Sequence, residues 1–170
     1  TMLQSFIAMG VITVLWVVFG FSLCFGEDIG GVIGDPTTFL MFQNVGADPF
    51  VTATGKLVGG ATIPLALFAL FQMKFAIITP SLITGSFAER VRFSAYMFFM
   101  MWFFVFIYCP LAHMTWHPEG LFLKWGVVDF AGGIVVHASS GVAALAGALF
   151  LGRRVSATKN AEPANIPFVL

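Results

Sequence analysis

Four apolar stretches constrain this chain more than any other feature, because each is long enough to cross a lipid bilayer. We predict helical spans at about 2–25, 65–88, 93–116 and 130–151, since about 20 apolar residues at 1.5 Å per residue cross the hydrocarbon core. Only 9% of the residues are charged, against about 25% in a typical soluble domain. The sequence therefore predicts an all-α, multi-pass membrane protein.

The basic residues between the spans predict its orientation. Arg90 and Arg92 link the second and third spans, and three more cations, Arg153, Arg154 and Lys159, follow the fourth. The positive-inside rule places these segments and the N-terminus in the cytoplasm. The loops at 26–56 and 117–128 then lie outside.

Composition also argues against some partners and sites. The formal net charge is zero, which argues against nucleic acid as a partner. Cys24 and Cys109 lie in apolar runs and are interpreted as core residues without a disulfide. We predict neither a metal site nor a cofactor, and we expect Glu89 and Arg90 to make a structural contact on the cytoplasmic side.

Two ionisable residues stand out in the fourth span. Asp129 opens the run DFAGGIVVH and His137 closes it, a spacing of about two turns on one helix face. Ionisable side chains in hydrocarbon cost roughly 2.5–3.5 kcal/mol or more and usually face a pathway or a partner. His137 is therefore either a pore residue or a structural histidine bonded to a neighbouring helix. Asp129 can cap the helix, hold a cation at an outer mouth, or do both.

The small residues of the fourth span predict close contact with other helices. Glycine, alanine and serine dominate 138–148, and small side chains let helix backbones approach closely in lipid. We therefore expect protein to surround most of this helix and His137 to face an interior.

Several motifs, in this order and spacing, resemble one known family. The runs are FQMKFAIITP at 71–80, GSFAER at 85–90, PLAHMTW at 110–116 and the stretch from 129 to 145. Together they closely resemble the ammonium transporter (Amt/Mep/Rh) family, and its Amt type in particular. The similarity covers nearly the whole chain.

The resemblance implies an architecture. Members of the family are eleven-helix, channel-like transporters built from two inverted repeats and assembled as trimers with one pore per subunit. The chain looks like helices two to five, so residues 1–170 are expected to be a partial transporter domain within the first repeat. The resemblance also implies a non-enzymatic protein of the plasma or inner membrane, with a PII-type regulatory protein as a candidate partner at the cytoplasmic face.

The resemblance further implies roles for five residues. Phe75 and Trp116 match an outer site that recruits NH4+, and Phe71 and Phe75 match aromatic residues over the pore mouth. Asp129 matches a carboxylate beneath that site, and His137 matches the first of two pore histidines. The implied function is ammonium transport, in which NH4+ loses its proton and NH3 crosses a hydrophobic pore. An ammonium sensor module and a Rh-like neutral gas channel are the alternatives.

Pattern alone favours less specific roles for some of these residues. Phe71 and Phe75 lie four apart on a helix, as core or lipid-facing residues do, and Trp116 lies at a span end, where interfacial anchors occur. His113 and His117, at the outer end of the third span, are interpreted as interfacial.

Lys74 departs from the family pattern, which commonly has a neutral residue between the two phenylalanines. Helix geometry places it about 100° from Phe75. We therefore expect Lys74 to snorkel outward or to lie at a subunit interface.

Overall fold

The computed structural model describes residues 2–60 and 62–153 and contains four helices that are long and apolar enough to cross a membrane. These helices run Leu3–Phe25, Leu65–Phe87, Phe93–Lys124 and Gly133–Leu151. Within the third range, the helix that forms the span ends at Trp116, and a turn and a short second helix follow it. The prediction of a helical membrane protein is therefore confirmed. Arg154 and Lys159, which entered the charge argument, lie outside the described residues.

The first and third spans each contain a π-helical turn. The first span comprises α1 (Met2–Leu15), a π turn (Trp16–Gly20) and α2 (Phe21–Phe25). The third comprises α4 (Phe93–Phe103), a π turn (Phe104–Tyr108) and α5 (Cys109–Trp116). The two π turns touch, because a Cβ added to Gly20 would lie 2.4 Å from Cζ of Phe104. Gly20 therefore permits the close approach of these two helices.

The loop between the first two spans contains a small hairpin that the sequence did not predict. Strand β1 (Asp28–Ile29) pairs antiparallel with β2 (Ile33–Gly34). Gly30 and Gly31 turn the chain between them with φ values of 68° and 75°, a conformation that glycine adopts at little cost. Short 3-10 turns follow at Leu40–Phe42 and Val58–Gly60.

The second and fourth spans pack side by side. Helix α3 (Leu65–Phe87) begins directly after Pro64, as predicted, and contacts both α1 and the last helix. After the short outer helix α6 (Leu121–Lys124), the fourth span comprises a π turn (Gly133–Ala138) and α7 (Ser139–Leu151). A Cβ added to Gly147 would lie 2.5 Å from Cζ of Phe87, so α7 and α3 meet closely at this glycine.

The core is an aromatic cluster between the first three spans. Trp16, Phe21, Phe25 and Phe104 are fully buried, and the Trp16 indole donates a hydrogen bond to the Ala69 carbonyl at 3.1 Å. Cys24 and Cys109 are free thiols buried in the same core. The predicted burial of both cysteines is confirmed.

The fourth span is the least buried. Only 17% of its most apolar window is buried among the described residues, against 33–44% for the other spans. Helix α3 and the third span pack against it. The expectation that protein surrounds most of this helix stays a prediction, because the described residues cover only part of its surface.

Candidate functional site

Three aromatic side chains from two spans meet in one cluster. The Phe71 and Phe75 ring centroids lie 5.2 Å apart at 77°, and those of Phe75 and Trp116 lie 5.8 Å apart at 63°. Both pairs are edge-to-face, an arrangement that the aromatic quadrupole favours. Phe71 is 53% exposed, whereas Phe75 and Trp116 are half-buried. The cluster thus has an anchored side and an open side.

A hydrogen bond ties this cluster to the start of the fourth span. The Trp116 Nε1–H donates to the backbone carbonyl of Asp129 at 2.8 Å. Because the indole N–H is taken, the ring offers a ligand its π system rather than a donor. A π face attracts cations, so the geometry suits a positively charged ligand.

The Asp129 side chain caps the fourth span with both of its oxygens. Oδ1 accepts the N–H groups of Gly132 and Gly133, both at 2.7 Å. Oδ2 accepts those of Ile134 at 2.8 Å and Val135 at 3.1 Å. These are the donors that a helix start leaves without partners. The predicted capping role is therefore confirmed.

The same cap changes where the fourth helix begins. The expected start was residue 130, but the helix begins at Gly133. Gly132 has φ of 87°, a left-handed conformation that lets the chain fold back so that Asp129 reaches the first turn. Asp129 therefore precedes the helix, and the predicted position of Asp129, two turns from His137 on one helix face, is wrong.

His137 lies within the π turn that opens the fourth span. Its N–H donates to the Gly132 carbonyl at 3.0 Å, a bond between residues five apart. Its neighbours Val135 and Val136 are buried, but the His137 side chain is exposed among the described residues. The expectation that it faces an interior stays a prediction, because nothing in residues 2–60 and 62–153 covers it.

Lys74 lies away from the centre of the aromatic cluster. It is exposed and lines a groove between α1 and α3 together with Ser5 and Phe6. The expectation that Lys74 snorkels outward or lies at a subunit interface stays a prediction.

Arg90 joins the ends of α3 and α7. Its guanidinium donates to the carbonyl of Ser86 at the end of α3 and to that of Gly152 just after α7. Unpaired carbonyls at helix C-termini are natural partners for a cation. The predicted structural contact is therefore confirmed for Arg90.

His113 and His117 are not interfacial, which corrects the sequence interpretation. Both side chains are fully buried, and their rings stack with centroids 4.3 Å apart at 14°. They are covered because α6 and the β1–β2 hairpin lie over the end of α5. The two covering elements are joined by a hydrogen bond of 2.8 Å from the Leu121 N–H of α6 to the Gly31 carbonyl of the hairpin. The hairpin thus covers a position that sequence alone places at a membrane surface.

Asp28 completes this group, although no sequence pattern indicated it. Its Oδ1 lies 2.9 Å from Nε2 of His113, across a separation of 85 residues. Partial burial raises the pKa of the Asp28 carboxyl, but hydrogen bonds from His113 and from the Gly31 N–H outweigh it, and the net pKa lies below its usual value. Asp28 is therefore ionised at neutral pH.

Comparison with known proteins decides the family. The model of the Ammonium Transporter Family matches residues 1–170. The chain belongs to the ammonium transporter family. It is 44% identical over 154 residues to a putative ammonium transporter of Methanothermobacter thermautotrophicus, covering 91% of this chain and 36% of that protein. It is 40% identical over 169 residues to an ammonium transporter of Aquifex aeolicus, covering 99% of this chain and 37% of that protein.

Solved structures of family members agree with the fold. Crystal structures of Mep2 from Saccharomyces cerevisiae and Candida albicans superpose with TM-scores of 0.75, at 35% and 34% identity. The match covers 86–88% of this chain and 31% of each of those chains. The chain thus has the ammonium transporter fold in an integral membrane protein, and it spans about a third of the length of its relatives.

Proposed function

We propose that this chain is part of an ammonium transporter that recruits NH4+ at Phe75 and Trp116 and conducts NH3 past Phe71 and His137. The observation that carries the proposal is the hydrogen-bonded connection from the aromatic cluster, through Trp116, to the capped start of the helix that bears His137. This connection supports the proposal, because Trp116 and the start of the His137 helix are in direct contact.

The aromatic cluster suits NH4+ because it attracts a cation only moderately, without the strong binding that a directly contacting carboxylate would give. A cation on an aromatic face gains about 0.5–1 kcal/mol at an exposed site and about 2 kcal/mol when desolvated. Asp129 adds a negative field nearby, although backbone N–H groups occupy both of its oxygens. A site of this strength concentrates NH4+ and still lets it leave.

His137 is the proposed proton acceptor or relay along the pore. An imidazole has one ring nitrogen that can accept a proton and one that can donate a proton, so it can serve a substrate that sheds its proton before crossing. The π turn that carries it shifts the local hydrogen-bond register, a feature frequent at functional sites.

The proposed transporter also needs subunits and helices that lie outside this chain. We infer a homotrimer of subunits with two inverted repeats, of which this chain supplies part of the first, and a second pore histidine outside these residues. A PII-type protein at the cytoplasmic face is the proposed regulator. Support for these parts comes from family membership alone.

The test uses the complete protein produced in cells that lack their own ammonium uptake. We expect His137→Ala to change uptake strongly while oligomer yield stays close to that of the parent. Leu145→Ala is the matched control, since Leu145 is exposed on the same span. Loss of assembly in His137→Ala, with normal uptake by the molecules that remain, would instead make His137 a structural residue.

A further inference from the structure

A buried group of possible metal ligands lies at the outer end of the third span, outside the proposed ammonium path. Asp28, His113 and His117 each offer one ligand atom, and these three atoms lie within 4.8 Å of one another. The two histidine side chains have no exposed surface, and that of Asp28 is 18% exposed. The group therefore has a protected interior and one side open to solvent.

His113 is held between two groups that can only accept hydrogen bonds. Its Nδ1 lies 3.0 Å from the Cys24 carbonyl, and its Nε2 lies 2.9 Å from the Asp28 carboxylate. A neutral imidazole carries one N–H, so it cannot donate to both acceptors at once. Without a second proton, one ring nitrogen turns its lone pair towards an acceptor oxygen. A metal ion between Nε2 and the Asp28 carboxylate would remove this mismatch, with the N–H on Nδ1 donated to the Cys24 carbonyl.

His117 supplies an independent observation. Its Nδ1 accepts the Glu119 N–H at 3.2 Å, whereas its Nε2 is buried and has no hydrogen-bond partner among the described residues. Buried polar atoms without partners are uncommon and require an explanation. Here the unpartnered nitrogen belongs to the same compact group as His113 and Asp28.

We propose that these three residues bind a transition-metal ion of the Zn2+ class. Nε2 of His113, Nε2 of His117 and one Asp28 oxygen form the ligand set, and water takes the fourth position. Two imidazoles and one carboxylate are a common donor set for Zn2+, and imidazole disfavours hard ions such as Ca2+. The Cys24 carbonyl holds Nδ1 of His113, as outer hydrogen bonds orient metal-bound histidines.

Binding requires two local rearrangements. The two rings are nearly parallel, so their in-plane lone pairs do not point at one ion. The His117 ring must turn out of the stack about its Cβ–Cγ bond, and its proton must reside on Nδ1, which ends the weak contact with Glu119. His113 and Asp28 must also move apart by about 0.4 Å, because two ligand atoms about 2.0–2.2 Å from a tetrahedral ion lie roughly 3.3 Å apart, whereas Nε2 and Oδ1 lie 2.9 Å apart.

The proposed ion would fasten two elements beside the aromatic cluster. Asp28 belongs to the outer hairpin and His113 to α5, and Trp116 lies one turn beyond His113 on that helix. Metal binding therefore stabilises the outer end of the third span.

The test measures metal binding by the complete, tag-free protein after treatment with a chelator. Titration calorimetry with Zn2+ should give one ion per subunit with a micromolar or lower Kd, and Co2+ should give the visible absorption of a tetrahedral site. His117→Gln and Asp28→Asn should each weaken binding at least tenfold. His117→Gln is the most informative variant, because it removes a ring nitrogen that has no protein partner and should leave folding largely intact.

Asp35→Asn is the matched control, since Asp35 is a partly exposed carboxylate of the same loop, and its hydrogen-bond partner is the neighbouring Thr37 rather than a histidine. Its affinity for Zn2+ should equal that of the parent. The proposal is overturned if the parent shows no stoichiometric binding up to millimolar Zn2+, or if both ligand variants bind as tightly as the parent. Oligomer elution and circular dichroism verify that each variant is folded.

Discussion

The Trp116 indole and the Asp129 backbone are joined by a single hydrogen bond, with Nε1 2.8 Å from the carbonyl oxygen. The bond connects α5 to the segment that caps the fourth span. It fixes the indole against Phe75 and uses the backbone of the residue whose side chain starts the next helix. The proposed recruitment site and the proposed pore helix are thus joined by a direct hydrogen bond.

Replacing Trp116 by Leu should weaken ammonium recognition, because it removes both the π face and this hydrogen bond. The expected loss is about 1–2 kcal/mol for a cation–π contact, seen as a roughly 5- to 30-fold rise in the concentration needed for half-maximal uptake. Trp125→Leu is the control, since Trp125 is 68% exposed. If Trp116→Leu takes up ammonium like the parent at all concentrations, Trp116 is an interfacial anchor.

The spans and the helix cap could be predicted because their signals are local. A run of apolar residues marks a membrane helix by itself, and Pro64 marks the start of α3 through its fixed φ. Asp129 followed by a glycine-rich run similarly indicates a helix start. Each of these features needs only a few neighbouring residues to identify it.

The buried histidines could not be predicted because their environment depends on distant contacts. His113 lies at a span end, where an interfacial position is the usual expectation, and only the fold brings Asp28 and the hairpin over it. The π turns of the first and third spans had no sequence signal either, and they touch where Gly20 meets Phe104. Such features follow from how helices meet rather than from local propensity.

Arg90→Ala should destabilise the assembled protein by disconnecting α3 from α7. Hydrogen bonds of charged groups contribute about 1.5–3 kcal/mol, and we expect the lower end because the freed carbonyls can turn to water. Arg90→Lys should recover only part of the loss, since a single ammonium does not reproduce the guanidinium fork. Thermal unfolding in detergent measures the effect, and the exposed Arg92 provides the control as Arg92→Ala. Equal melting temperatures for Arg90→Ala and Arg92→Ala would show that Arg90 does not stabilise the contact between α3 and α7.

Gly147→Ala should destabilise the contact between the second and fourth spans. The new Cβ would lie 2.5 Å from Cζ of Phe87, and Phe87 packs against Phe99 at a centroid distance of 4.7 Å, so the ring cannot move freely. Overpacking of this kind costs about 1–3 kcal/mol. Gly141→Ala is a close control on the same helix, because a Cβ there meets nothing within 4 Å. A melting temperature unchanged by Gly147→Ala but lowered by Gly141→Ala would show that the helices meet elsewhere.

Asp129 variants separate the cap from the charge. Its two oxygens each accept two backbone N–H groups. Asparagine has one carbonyl oxygen, so Asp129→Asn should keep about half of these bonds and Asp129→Ala none. Loss of a cap costs about 0.5–2 kcal/mol, and thermal stability should therefore fall in the order Asp, Asn, Ala.

Transport by the same variants tests whether the negative field matters. If it does, Asp129→Asn assembles but takes up ammonium poorly, well beyond what its modest loss of stability explains. Asp48→Asn, at an exposed carboxylate of the outer loop, should behave like the parent in both assays. An Asp129→Asn protein that transports at the parent rate would leave Asp129 with the cap alone, and recruitment of NH4+ would then depend on the aromatic rings without help from a carboxylate.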